Sequence, residues 1–181
     1  KNVTRIPFRV QYDGSLTPAS NESSAERFIP NQINIFEREG FQIVTTEKTM
    51  YDTINVSFKS AGTGVADAVS PLYTFLSAAI PSHDSVTVRI KPTGNIPEEW
   101  KDRVVIKGVA GSRTVVEKAV WQKGWLTAKF RQFGTYQAFI DDVPPTVNSV
   151  SANLSKAKRI VFTPKDNFNV IKNFRVELNG Q

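Results

Sequence analysis

Apolar and polar residues alternate along much of this chain, and the alternation predicts β-strands. In the stretch SVTVRIK (85–91), Val86, Val88 and Ile90 fall on one face, and the residues between them are polar. A period of two is typical of a strand with one buried face. The same pattern predicts strands at 6–12, 41–46, 53–59, 103–109, 114–121, 125–130, 135–141, 159–163 and 173–178, and strand is preferred over helix at 72–76.

Turn residues separate these segments at short intervals. Glycines at 62 and 64, the stretch KPTGNIP (91–97), Lys-Gly at 123–124 and Phe-Gly at 133–134 all indicate turns. Helix signals are confined to one turn at 23–28 and a short start at 97–102, where Pro97 precedes two acidic residues. The chain therefore reads as all-β, and we expect an antiparallel β-sandwich.

The stretch DDVPPTV (141–147) is the clearest boundary. Two prolines fix φ and remove two hydrogen-bond donors, so the chain leaves one sheet and begins another. We expect a β-sandwich region at 1–142, with room for two small sub-domains, and the start of a second, incomplete β-domain at 143–181. The hairpin signal Asn179-Gly180 comes one residue before the end, so the strand predicted before it lacks a return strand. An edge at 172–178 would invite a protein partner by strand addition.

Composition narrows the classes of protein and partner. No window approaches the roughly 20 apolar residues of a membrane helix, so no membrane span is predicted in this chain, and no secretory signal is recognised in residues 1–20. Since the chain begins at Lys1, we interpret it as a fragment of a longer or processed protein. It has no cysteine, which excludes disulfides and thiol chemistry. The formal charge of +6 favours acidic partners, although the basic residues are scattered along the polar faces of strands.

The chain has one histidine, His83, and it stands between Ser82 and Asp84. A hydrolytic triad needs the serine oxygen, imidazole and carboxylate in line, which distant chain segments usually provide. Consecutive strand residues point to opposite sides, and neither Ser82 nor Ser85 has the glycine pattern of a nucleophile elbow. The sequence therefore predicts a turn before a strand here, with no catalytic residues.

No metal, cofactor or nucleic-acid site is predicted either. One histidine without cysteines cannot supply an ordinary zinc site, and the acidic pairs at 98–99 and 141–142 lack the spacing of a calcium loop. The glycines at 62 and 64 lack the remaining residues of a phosphate-binding loop. Aromatic and basic residues form no stacking motif for nucleic acid.

Aromatic residues provide the remaining candidate contacts. Trp121 and Trp125 flank a tight turn and would face each other across the hairpin, with Lys123 between them. Open indoles stack on sugar rings, and a basic rim suits a wall polymer, whereas core or cross-strand packing is the commoner fate of such residues. Arg175, on the predicted edge strand, completes the set of candidate ligand or partner contacts.

Several strings taken together resemble one known family. They are MYDTINVSF (50–58), IPSHDSVTVRIKP (80–92), WLTAKFRQFGTYQAFIDDVPPTV (125–147) and DNFNVIKNFRVELNGQ (166–181). They resemble the non-catalytic β-rich region that follows the peptidase domain in Bacteroidetes-type zinc endopeptidases of the lysostaphin-like (LytM) class. The stretch ERFIPNQINIFEREGF (26–41) would suit the preceding strands of that region.

The resemblance implies a cell-envelope protein, at the periplasm or cell surface, and an Ig-like domain after the double proline. Those peptidases bind zinc through a His-x-x-x-Asp motif and a His-x-His motif. Here Thr87 follows His83 at the fourth position and no second histidine exists, so no catalytic residue is carried over.

We therefore expect a non-enzymatic accessory region of a murein metallopeptidase. It would position that protein or dock it to a protein partner or to the rest of its own polypeptide. The alternative is a peptidoglycan- or glycan-binding module, and a third reading is an enzyme with an unrecognised site.

Overall fold

The computed structural model describes residues 26–62, 64–65, 67–149 and 161–168, together with residues 171, 173, 175 and 177. In these ranges the chain forms strands and a single 3₁₀ helix at Glu98–Arg103. The strands are β1 (Arg27–Phe28), β2 (Asn34–Arg38), β3 (Phe41–Thr45), β4 (Ile54–Asn55), β5 (Phe58–Ala61), β6 (Leu72–Phe75), β7 (Val86–Ile90), β8 (Val104–Ala110), β9 (Arg113–Lys118), β10 (Val120–Gln122), β11 (Trp125–Phe130), β12 (Gly134–Ile140), β13 (Thr146–Ser149) and β14 (Phe162–Lys165).

Two five-stranded antiparallel sheets make up the sandwich. The first sheet has the order β10-β11-β7-β3-β2, and the second has the order β5-β6-β12-β8-β9. Strands β1 and β4 form a small additional ladder, as do β13 and β14. The predicted all-β, antiparallel sandwich is therefore confirmed.

The core lies between the inner faces of the two sheets. Phe41 of the first sheet has its ring centroid 5.1 Å from that of Tyr73 and 5.9 Å from that of Tyr136, both in the second sheet. Val86, Val88 and Ile90 are fully buried, as their alternation predicted. Burying each such side chain contributes about 1.5–3 kcal/mol relative to leaving it exposed.

Two segments predicted as single strands are each divided in the structure. The predicted strand at 53–59 is wrong as one unit, because β4 ends at Asn55 and β5 starts at Phe58. The predicted strand at 114–121 divides at Ala119, where the chain passes from the second sheet to the first. Ala119 is buried, and its amide donates to the carbonyl of Val104 at 2.9 Å. The alternation continues through this crossover, which is why the pattern did not reveal it.

Alternation also failed to predict β2. Asn34 faces inward while Ile35 is 58% exposed, which is the reverse of the usual assignment. The inward amide of Asn34 is satisfied by the amide nitrogen of Ile29, at 2.8 Å from Oδ1, and by Thr45 Oγ1, at 3.1 Å from Nδ2. Buried hydrogen bonds therefore offset the cost of facing a polar residue toward the core.

The short elements gave mixed outcomes. The helical start predicted at 97–102 is confirmed as the 3₁₀ helix that follows Pro97. The helical turn predicted at 23–28 is wrong over Arg27–Phe28, which pairs with β4 as strand. Gly134 opens β12 rather than sitting in the turn predicted at 133–134.

After the double proline, β13 pairs with β14. Strand β14 begins at Phe162, later than the predicted strand at 159–163. The predicted strand at 6–12 lies outside the described residues, as do residues 174, 176 and 178 of the strand predicted at 173–178, whose residues 173, 175 and 177 are not assigned to a strand. The division into 1–142 and 143–181 stays a prediction.

Candidate functional site

His83 and Asp84 lie in the turn before β7, and each has its own partners. Nδ1 of the exposed His83 lies 2.9 Å from the hydroxyl of Tyr51. The carboxylate of Asp84 accepts from the amide of Ser85 at 2.7 Å and from the hydroxyl of Thr46 at 3.0 Å. No hydrogen bond joins these two side chains within the part of the chain that the structure describes. The turn is therefore held by separate bonds to Tyr51, Thr46 and Ser85 rather than by a triad.

The same hydrogen bonds shift the pKa of Asp84. The Ser85 amide and, to a smaller extent, the Thr46 hydroxyl lower the pKa of the Asp84 carboxyl below its ordinary value. Both bonds favour the charged form because the amide and the hydroxyl each donate a hydrogen bond to the carboxylate. Asp84 is therefore a carboxylate that stabilises the turn, unlike a general acid, which needs a raised pKa.

The two candidate tryptophans lie on opposite faces of the first sheet. In the β10–β11 hairpin, Trp121 pairs with Leu126 and Trp125 pairs with Gln122. Directly paired residues share a face, and Leu126 is fully buried in the core. The prediction that the two indoles face each other is therefore wrong, since Trp121 points inward and Trp125 points outward.

Trp121 is a packing residue at the margin of the core. It is partly buried against the core, and its indole N–H donates to the carbonyl of Lys101 at 3.0 Å. The Lys101 ammonium lies 5.7 Å from its ring centroid. These contacts connect β10 to the 3₁₀ helix.

Trp125 lies on the outer face of the first sheet, and two cations lie over its ring. The Arg89 guanidinium carbon is 5.0 Å from its ring centroid and the Lys91 ammonium is 4.6 Å away. Only 8% of Trp125 is exposed. Cations are attracted to the negative face of an indole, and such contacts are worth about 0.5–2 kcal/mol. The ring that the sequence offered as a sugar platform is therefore covered.

A hydrogen-bonded row crosses three strands beside this tryptophan. Arg89 Nη1 donates to Gln42 Oε1 at 2.5 Å, and Gln42 Nε2 donates to Glu37 Oε2 at 2.5 Å. Thr127 stands opposite Arg89 on β11. The Thr127 hydroxyl and Arg89 Nε are both buried and have no hydrogen-bond partner. The row therefore positions Arg89 while leaving part of its donor capacity unused.

We define the basic face as the outward side chains of Arg89, Lys91, Trp125 and Lys129 on β7, its extension and β11. Lys129 pairs with Thr87 on the same outward side as Arg89. In the described ranges, ion pairs join Lys101 to Glu98 and Arg175 to Glu177, and none involves the basic face. Three cations therefore share this surface, with Glu37 at its far edge.

The other predicted contact residues do not gather here. Lys123 occupies the hairpin turn with a positive φ of 51°. Arg175 forms an ion pair of 2.8 Å with Glu177. Sequence reasoning missed Arg89 and Lys91, although their positions on the polar side of SVTVRIK were a usable signal. What it lacked was the β7–β11 register that brings Trp125 to them.

A separate surface cavity of about 340 Å³ lies next to the double proline, where Arg103 and Asp141 line it together with Pro144 and Pro145. Burial raises the pKa of Asp141, and the nearby charge of Asp166 raises it further.

Over the residues that the structure describes, no group of three or more histidine, aspartate or glutamate residues is placed to hold a metal ion.

Within the described ranges, no helix combines the length and apolar character needed to cross a bilayer.

Comparison with known proteins identifies a family for this chain. No curated protein matches the chain significantly. The family model described as Zu5-like domain matches residues 25–141, which is more than half of the 181-residue chain and includes both sheets of the sandwich. The chain therefore belongs to the Zu5-like domain family.

Proposed function

We propose that this chain is a non-catalytic accessory region of a larger cell-envelope protein, a murein metallopeptidase, and that it docks this protein onto a partner. The observation that carries the proposal is the basic face. One side of the first sheet is committed to the core, and its other side presents Arg89, Lys91 and Lys129 to the outside. A sheet face whose cations lack ion-pair partners among the described residues is suited to association with an acidic surface.

The rigidity of the surroundings supports docking. The strands that carry the basic face, β7 and β11, sit in the interior of the first sheet and are paired on both sides. Their inward side chains, such as Val88 and Leu126, are fully buried. A preformed surface loses little conformational entropy when it binds.

The cell-envelope assignment is supported by the sequence resemblance. The strings that carry it include β7, β11 and β12, three strands of the two sheets. The residues that offered hydrolytic chemistry are engaged otherwise, since His83 contacts Tyr51 and Asp84 accepts bonds from Thr46 and Ser85. These contacts support a structural role for the segment at 80–85.

The test uses the full-length protein and a variant that lacks residues 26–141. We expect the deletion to leave cleavage of a small soluble peptidoglycan peptide unchanged and to slow release of soluble fragments from isolated cell envelopes that retain their proteins about tenfold, because docking raises the local substrate concentration. Equal loss on both substrates would assign this region to the catalytic machinery. No loss on either would remove the docking role.

A second arm tests the non-catalytic assignment directly. The 181-residue chain alone is incubated with purified sacculi, with and without added zinc. We expect no increase in soluble muropeptides, whereas release by this chain would contradict the proposal.

A further inference from the structure

We infer that the basic face binds an acidic segment of a polypeptide, whose carboxylates lie against Arg89 and Lys91 and whose apolar residues cover the exposed aliphatic side chains beside them. This inference rests on the proposed docking function and gives its partner a chemistry. Its evidence is the placement of charges, unused donors and exposed apolar groups on one side of the first sheet.

The basic face carries more cations than anions. Arg89 and Lys91 both approach one indole ring, within 5.0 and 4.6 Å of its centroid. Like charges held close together repel each other, and an anion placed between them relieves that repulsion. Glu37 is the acidic residue in the same row, and it is bonded to Gln42 rather than to a cation. The face therefore has a surplus of positive charge.

The basic face also holds hydrogen-bonding groups without partners. Arg89 Nε and the Thr127 hydroxyl are buried and without partners, and Thr127 is only 8% exposed. A buried polar group without a partner costs free energy. A small rotation of the Arg89 side chain toward a bound carboxylate would supply a partner to its guanidinium. Arginine is well suited to this because its planar group binds a carboxylate through two parallel bonds.

The surroundings of Trp125 favour a polypeptide over a glycan. A sugar-binding tryptophan must present at least one open ring face to the sugar, whereas Trp125 is only 8% exposed and has two cations over its ring. On the same sheet face, Val120 is 57% exposed and Ile35 is 58% exposed. Val120 and Ile35 lie on β10 and β2, the two edge strands of this sheet. Exposed aliphatic side chains at both edges of a basic face match a partner that carries both apolar and acidic side chains, which is a property of polypeptides.

The spacing of the cations agrees with this occupant. Arg89 and Lys91 are two residues apart, so their side chains leave the sheet about 6.5–7 Å apart. The carboxylates of alternate residues in an extended acidic segment have the same separation. A segment with acidic residues at two alternate positions and apolar residues at the next alternate positions would therefore place its carboxylates over the two cations and keep its apolar side chains on the same side.

The experiment measures binding of the capped octapeptide Glu-Ser-Glu-Ser-Val-Ser-Val-Ser, whose glutamates and valines share one side when extended, to the full chain by isothermal titration. We expect Lys91→Glu to weaken binding about tenfold, and Arg89→Gln to weaken it similarly. Binding should also weaken when salt is raised from about 0.05 to about 0.5 M, because exposed charges are screened. Lys91 is exposed, so its substitution leaves the core intact.

The matched control is Lys59→Glu, the same charge change at an exposed position of β5 on the second sheet. Equal weakening by Lys59→Glu and Lys91→Glu would overturn the inference, because only net charge would matter. Equal binding of the matching glutamine-valine peptide would overturn it as well. Binding of polyphosphate or of soluble peptidoglycan fragments at this face, without binding of the glutamate-valine peptide, would assign it to another class of partner.

The two proposals fail in different ways. If deletion of residues 26–141 reduces activity on cell envelopes that retain their proteins and Lys91→Glu binds the peptide as the unsubstituted chain does, docking stands and the basic face is not its surface. If the deletion has no effect on these envelopes, the docking role itself is lost.

Discussion

Gly134 lies so close to Val109 that a Cβ atom on Gly134 would be 2.2 Å from the Val109 carbonyl oxygen. This contact joins the first residue of β12 to β8, its neighbour in the second sheet. Gly134 also has a φ of +143°, a conformation that other residues rarely adopt. Two independent constraints therefore require glycine at this position.

Gly134→Ala should consequently destabilise the sandwich strongly. We expect a loss of about 3 kcal/mol or more in the free energy of unfolding, because backbone strain and a backbone clash combine. Gly124→Ala is the control, since Gly124 has a φ of +82° with no atom near its added Cβ. That variant should lose about 1–2 kcal/mol. Urea unfolding followed by circular dichroism measures both, and equal losses would contradict the role of the Val109 contact.

Tyr136→Phe tests the buried hydroxyl of β12. This hydroxyl donates to the carbonyl of Gln132, and burial raises the pKa of Tyr136. Its removal leaves a buried carbonyl without its partner, so we expect a loss of about 1–3 kcal/mol in unfolding free energy. Tyr51→Phe removes the hydroxyl of an exposed tyrosine and should change stability by less than about 0.5 kcal/mol. Similar losses in the two variants would show that burial of the Tyr136 bond contributes nothing extra.

Asn34→Ala should destabilise the start of β2. The Asn34 side chain accepts from the Ile29 amide at 2.8 Å and donates to the Ile29 carbonyl at 2.9 Å. Removing it leaves these groups without partners, and we expect a loss of about 2–3 kcal/mol. Hydrogen exchange should show faster exchange of the Ile29 amide. Glu47→Ala is the control at an exposed position nearby, and an unchanged Ile29 exchange rate in Asn34→Ala would refute this role.

Asp84→Asn predicts a pH dependence with a defined sign. Because the folded-state pKa of Asp84 lies below its ordinary value of 3.8, its charged form stabilises the folded state above that value. This contribution is lost as pH falls through the lowered pKa. We therefore expect the unsubstituted chain to be more stable than Asp84→Asn near neutral pH, with the difference shrinking toward strong acid. Thermal unfolding of both proteins across pH measures it, and a difference that stays constant with pH would contradict the assignment.

The sequence predicted those strands whose apolar residues all lie on one face. Val86, Val88 and Ile90 are an example, and β11 and β12 were also placed within one residue of their bounds. Alternation fails where the inward residue is polar, as at Asn34, because the pattern then assigns the wrong face. It also fails at Ala119, because a strand can change sheets without any break in its periodicity.

The residues of the candidate site could likewise be predicted only in part from the sequence. The sequence identified Trp125 and located Arg89 and Lys91 on a polar strand face. It could not bring them together, because the contact depends on pairing between strands that are separated by more than 30 residues along the chain. The prediction that Trp121 faces Trp125 failed for a different, local reason: the two-residue turn pairs Gln122 with Trp125, and this register places the two indoles on opposite faces.

By itself, the sequence determined that this protein is an antiparallel β-sandwich and that most of its strands have one apolar face, because a period of two and the residues at turns are local properties of the chain. Only the tertiary structure decided which strands are neighbours, where the chain changes sheets and which side chains meet on the basic face. Those relationships follow from packing and from registers between distant segments, and a one-residue shift in any register would move every side chain of that strand to the other face.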